Sequence, residues 1–199
     1  GWGEDDTLWG SEFLVGDARS MERVEHGPEF CLPGGRGVLL HPWRTAAGLL
    51  WELKGPEVCA DWLEENAPDE VAGRTVAKEL GDKVNCVRAC GLGLIYDALA
   101  AIVGILDNSS FEGQAPMSLE RLAGTPRELE TNGLPDPEMP TRDYFATILD
   151  RLLYAERASS DASLNAAYIQ KAVARWVARR AVLIARDRGL DLVLASGGC

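Results

Sequence analysis

Apolar and polar residues follow two rhythms along this chain. Over residues 7–26, "TLWGSEFLVGDARSMERVEH", short apolar and polar runs lie on either side of Gly16-Asp17. Short runs parted by a Gly-Asp pair predict two short strands around a turn. "CLPGGRG" (31–37) reads as a loop. Beyond it the apolar spacing lengthens to three and four residues. "VLLHPWRTAAGLLWEL" (38–53) reads as a helix entered near Pro42, because proline's fixed φ and missing N–H suit a first helical turn. Gly55-Pro56 ends it. Two shorter helices are predicted over 56–66 and 69–80, parted at Pro68, with Gly81 closing the second.

The clearest helical pattern runs from 92 to 106. Leu92, Ile95, Tyr96, Leu99, Ile102, Val103 and Leu106 share one face. A second stripe holds Gly93, Asp97, Ala100 and Gly104, all small except for one carboxylate. Small side chains let a ligand or another backbone come close. "DNSS" (107–110) is a turn. "FEGQAPMSLERLAG" (111–124) opens as a loop, where Gly113 frees the backbone, and continues as a helix that stops at Gly124. Residues 125–140 carry four prolines and read as a surface excursion. Helices follow over 141–157 and 162–188. In the second, Ile169, Val173, Trp176, Leu183 and Ile184 point inward, Arg175, Arg179 and Arg186 point outward, and Gly189 is the stop. A strand over 191–195 runs into Ser196, Gly197 and Gly198. Backbone N–H groups of such a glycine loop can hold an anion. The class is α/β, mostly helical, with a few strands towards the two ends.

Composition narrows the possibilities. The 199 residues include 31 acidic and 20 basic ones, a net charge of −11. That excess opposes nonspecific nucleic-acid binding and docking on anionic lipid. The longest apolar stretch, residues 91–106, has 16 residues with Asp97 inside it, which is short for a bilayer span. The start of the chain has neither a basic segment nor an apolar run, so the expected compartment is the cytoplasm. The five cysteines lack a Cys-x-x-Cys pair and read as reduced structural thiols. Cys86 and Cys90 offer at most two metal ligands, and His26 and His41 stand singly. No nucleophilic triad is visible. What remains is two glycine loops able to approach phosphate or sugar, and one carboxylate able to accept hydrogen bonds from ribose hydroxyls.

"WGSEFL" (9–14), "LPGG" (32–35), "HPWRTAAGLL" (41–50), "GLIYDALAAIVG" (93–104), "FEGQAPMSLE" (111–120) and "LVLASGG" (192–198) occur in that order. Together they resemble the C-terminal transferase domain of the HypF family, carbamoyltransferases of nickel–iron hydrogenase maturation. That domain is related to the tRNA threonylcarbamoyl transferases. The resemblance implies a two-lobed fold of the actin and sugar-kinase (ribonuclease H-like) type, of which residues 1–199 would be a middle slice, cut at both ends. It implies transfer of a carbamoyl group from carbamoyl adenylate, made from carbamoyl phosphate and ATP, to the C-terminal cysteine of HypE. Asp97 would hold the nucleotide sugar and Gly113 would pass close to the nucleotide. Gly197 and Gly198, with Gly1 and Gly3, would form the phosphate side. A divalent metal, zinc or iron, would sit on ligands outside this chain, so the slice by itself is expected to be inactive. The sequence departs from the family pattern at Ala89-Cys90-Gly91, at Leu94 and at Tyr168-Ile169. The alternatives are a small-molecule O-carbamoyltransferase, a tRNA-modifying relative, which the acidic charge disfavours, and a non-enzymatic remnant.

Overall fold

The computed structural model describes residues 1–124, 133–154 and 161–197. The segment read as two strands around Gly16-Asp17 forms a hairpin. Strands β1 (Phe13–Gly16) and β2 (Met21–Glu25) pair antiparallel, with Gly16 opposite Met21. The Asp17 carboxylate accepts the backbone N–H groups of Arg19 and Ser20 and so closes the turn. A lone hairpin is marginal in water. This one is held at its base, where Phe13 packs edge-on against Trp176 at 5.4 Å and Glu25 pairs with Arg180 at 2.7 Å.

A second sheet departs from the sequence reading. β3 (Phe30–Pro33) lies within what reads as loop, and β4 (Cys86–Ala89) falls where no element was expected. They pair antiparallel, Phe30 opposite Ala89 and Pro33 opposite Cys86, and Leu8 adds a parallel bridge to Ala89. Four residues are too few to show a period of two. Each strand is defined by a partner more than fifty residues away, so local pattern cannot reveal it. The 3-10 turn Gly35–Leu40 follows β3.

Helix α1 (Pro42–Lys54) is the centre of the packing, with 9 of its 13 residues buried. It crosses β3 so closely that a Cβ on Gly48 would lie 1.9 Å from the Cys31 carbonyl oxygen. Helices α2 (Pro56–Asn66) and α3 (Glu70–Asp82) follow. The Asp69 side chain caps α3 by accepting the Ala72 N–H at 2.8 Å. Gly81 does not close α3. The helix runs to Asp82, and Lys83 takes the left-handed turn.

Helix α4 (Leu92–Ile102) stops four residues earlier than its apolar pattern, because Gly104 turns left-handed and Ile105 donates back to the Ala100 carbonyl. Helices α5 (Gln114–Ala123), α6 (Thr141–Tyr154) and α7 (Ala162–Arg188) complete the order. The expected extension of α6 to 157 and much of the proline-rich 125–140 segment lie outside the described residues. No strand forms over 191–195. Leu192, Val193 and Leu194 are exposed, and none of the four strands runs beside them. A strand exists through its partner's hydrogen bonds, so a strand-like sequence without one stays irregular.

Ile169, Val173 and Trp176 are buried as read, whereas Leu183 and Ile184 are half-buried. Trp176 packs edge-on against Phe145 at 5.1 Å, and its indole N–H donates to Thr141 Oγ1. Trp176→Ala is expected to cost about 3–5 kcal/mol. A denaturant titration measures this, and a loss well under 1 kcal/mol would mean that α7 does not pack through this ring. Gly48→Ala drives a methyl into backbone rather than into a movable side chain. Its expected cost is about 1–3 kcal/mol in the same titration.

Candidate functional site

Asp97 lies in the middle of α4, between residues chosen for smallness. The stripe around it is more enclosed than the sequence suggests: Asp97 is 7% exposed and Ala100 is fully buried. At the ends of the stripe, a Cβ on Gly93 or Gly104 would meet open space. Two residues without side chains, Gly93 and Gly104, thus stand on either side of Asp97 along the stripe. Among the described residues, no hydrogen bond or ion pair reaches it. Burial pushes its pKa from 3.8 up to about 7, and the nearby negative charge of Glu112 adds to the shift.

Glu112 precedes Gly113, which caps α5 with a left-handed φ of 85° and open space where a side chain would be. The charge of Glu112 thus acts on Asp97, and Gly113 follows Glu112 in the chain. Two residues around Asp97 escaped the sequence reading. Gly93 stood in the small stripe without a role, and Glu112 stood in the "FEGQ" motif beside a residue that was singled out.

The other candidate glycines come from the first and last residues of the sequence. Gly1 and Gly3 belong to a closed turn, in which the Gly3 N–H donates to the Thr7 carbonyl and the Trp9 N–H to the Gly1 carbonyl. The Trp9 ring lies on Gly3, where a Cβ would come within 2.0 Å of Nε1. Asp5 organises the turn. It accepts from the Thr7 hydroxyl at 2.7 Å, the Trp9 indole at 2.9 Å and Arg23 at 2.7 Å. Chiefly through the Thr7 bond, its pKa is held down to about 2. Bridging through Leu8 to β4 sets this turn beside the start of α4. Gly197 is exposed with φ 128° and open space around it. Gly198 lies outside the described residues.

No group of three or more His, Cys, Asp or Glu among the described residues is arranged to hold a metal. The Cys86–Cys90 pair is used otherwise. Cys86 Sγ donates to the Glu79 carbonyl, and Cys90 Sγ lies 3.1 Å from Glu12 and 3.2 Å from Arg23. Burial, the largest cause for each, helps push both thiols up to about 12. Among the described residues, no helix is long and apolar enough to cross a membrane.

This arrangement has counterparts of known structure. A full-length HypF in a phosphate- and nucleotide-bound form superposes with a TM-score of 0.75 over 96% of this chain and 29% of that one, at 25% identity. The fold is that of the Kae1-like domain of carbamoyltransferases, and the family model for its second subdomain matches residues 1–199. The chain belongs to the HypF carbamoyltransferase family. Carbamoyltransferase HypF of Rhodobacter capsulatus is 36% identical over 68% of this chain and 17% of its own length. The carbamoyltransferase HypF homolog of Cupriavidus necator is 31% identical over the whole chain and 52% of its own length. The chain therefore spans a part of each of these relatives.

The Asp97 shift makes a pH prediction. Between about pH 4 and pH 7 the folded chain holds a proton that the unfolded chain has released. Stability from this group therefore falls as pH rises through that window and is level above it. Asp97→Asn is expected to raise stability by about 1–3 kcal/mol at pH 8 and to change little at pH 3.5. Urea titrations at the two pH values check this, and an equal effect at both would contradict the shift.

Proposed function

We propose that this chain is the nucleotide-sugar side of a carbamoyl-transfer site. Asp97 accepts hydrogen bonds from the ribose hydroxyls of carbamoyl adenylate, and Gly113 lets the backbone lie against the nucleotide. The single observation that carries this reading is Asp97 itself, an acidic residue only 7% exposed whose carboxylate receives no hydrogen bond from the described residues. Such a group lowers stability unless something binds to it. Ribose offers paired donors, and the flanking glycines leave room for a ring. Membership of the HypF family supports the chemistry, and the nucleotide-bound state of the HypF structure named above supports the ligand class.

In this reading the parent reaction uses carbamoyl phosphate and ATP in the cytoplasm and delivers the carbamoyl group to the terminal cysteine of HypE. The thiolate attacks the carbamoyl carbon, the C–S bond forms, and AMP leaves with the electron pair of the C–O bond. The chain's own part is to hold and orient the AMP portion, which removes much of the entropic cost of the encounter. A divalent metal, zinc or iron, would have its ligands outside residues 1–199. The residues described here do not form such a site, so no step is assigned to it. Gly197, Gly198, Gly1 and Gly3 would line the phosphate side.

Two measurements test the reading. Titration of the chain with AMP, followed by NMR, is expected to shift Gly93, Asp97 and Gly113 saturably but weakly, with Asp97→Ala abolishing the shifts. Saturable shifts confined elsewhere, or none, would remove the nucleotide assignment. The chain alone, given carbamoyl adenylate and HypE, is expected to carbamoylate the acceptor cysteine no faster than the no-protein control. Exchanged for the matching segment of the Cupriavidus necator homolog, it should support transfer. Asp97→Ala should then cost roughly 10- to 100-fold, as loss of hydrogen bonds to a charged group does.

A further inference from the structure

Helix α1 begins at a residue that reaches across to the turn carrying Gly113. His41 stands between the 3-10 turn Gly35–Leu40 and α1, and it caps both. Its side chain makes no capping hydrogen bond to α1. It turns instead to residue 108, with Nδ1 donating to Asn108 Oδ1 at 2.7 Å. Beside it, the Ser109 N–H donates to the Leu40 carbonyl at 2.9 Å. Two neighbouring residues at the head of α1 therefore hold two neighbouring residues of the turn after α4. One hydrogen bond would leave the turn free to rotate, whereas two adjacent ones fix its place and its orientation.

The constraint continues towards the site. The Ser110 N–H donates to Gln114 Oε1 at 2.6 Å, and the Gln114 N–H donates to the Phe111 carbonyl at 3.3 Å. Gly113 lies inside this closed loop in its left-handed conformation, and Glu112 beside it is close enough to raise the pKa of Asp97. The segment from Asn108 to Gln114 is a small tied unit, anchored on the body of the domain through His41 and Leu40. A serine or aspartate at position 41 would cap α1 better, but neither reaches as far as an imidazole.

We propose that His41 is a positioning residue of the Asp97 site: through Asn108 it clamps the 107–113 turn and so sets where Gly113 lies relative to Asp97. The clamp stands on the hydrogen bonds alone, and its consequence for a ligand rests on the nucleotide reading above.

The test uses His41→Ala, Asn108→Ala, their double variant, and two amide replacements. His41→Asn keeps an N–H donor near the place of Nδ1, whereas His41→Gln puts it near the place of Nε2. Amide hydrogen exchange of residues 109–114 reads the clamp, and the NMR titration with AMP reads the consequence. His41→Ala and Asn108→Ala are each expected to speed exchange there and to weaken AMP binding about five- to tenfold, the equivalent of one hydrogen bond. The double variant should be no weaker than either single one. His41→Asn should restore both readouts and His41→Gln neither, while exchange in α7 stays unchanged throughout. If His41→Ala does not fold, the exposed Asn108 gives the same answer from the other side. Unchanged exchange at 109–114 overturns the clamp. Faster exchange with unchanged AMP affinity overturns the positioning role, and so does a full loss in His41→Asn. A wild-type chain that does not bind AMP removes the nucleotide reading and the positioning role with it, and the exchange data then decide separately whether His41 holds the turn.

Discussion

Helix α1 can lie directly on β3 because residue 48 has no side chain. The approach leaves no room for a methyl group against the Cys31 carbonyl. From that contact the remaining layers take their places. β3 presents Phe30 and Leu32 to the core and carries β4 at its edge. Tyr144, Phe145, Ile148 and Leu149 of α6, together with α7 around Trp176, complete the same apolar cluster. The 3-10 turn before α1 and the head of α1 itself are then fixed in space, and the turn after α4 is tied to them. A position chosen for closeness of packing thereby sets the frame in which the site lies.

Charge is handled in two ways in this domain. Most half-buried charges described above are paired. Arg88 bridges Glu29 and Glu52, Arg44 faces Glu79, and Arg180 meets Glu25, which also accepts from Thr141. The first two tie β4 to α1 and α1 to α3, and the last ties the hairpin to α6 and α7. Asp97 is the contrast: more deeply buried than any of these carboxylates, set in small residues, and without a cation paired to it among the described residues. Pairing would have been stabilising and was available in an arginine-rich chain. This contrast is what singles Asp97 out as the candidate position taken up under the proposed function.

The glycines divide along the same line. Gly48 and Gly3 are glycine because something presses on them, backbone in one case and the Trp9 ring in the other. Gly93, Gly104 and Gly113 have open space where a side chain would be. In the sequence all five are the same letter.

Most of the helices were legible from the chain because each is a local object. Apolar spacing of three and four, Pro42 at an entry and Gly124 and Gly189 at exits decide α1, α5 and α7 with little help from elsewhere. The hairpin was equally local, with its turn closed by Asp17. Asp97 and Gly113 could be named because a lone carboxylate in a small stripe and a glycine before a helix stand out in any context. What the sequence could not determine was everything that needs a distant partner. β3 and β4 are strands because each completes the other's hydrogen bonds, and 191–195 is not a strand because none of the described strands runs beside it. The burial that raises the Asp97 pKa, the charge of Glu112 next to it, and the reach of His41 to Asn108 depend on segments brought together by packing. Local periodicity records how a residue relates to its neighbours in the chain, whereas desolvation, pairing and positioning are set by neighbours in space.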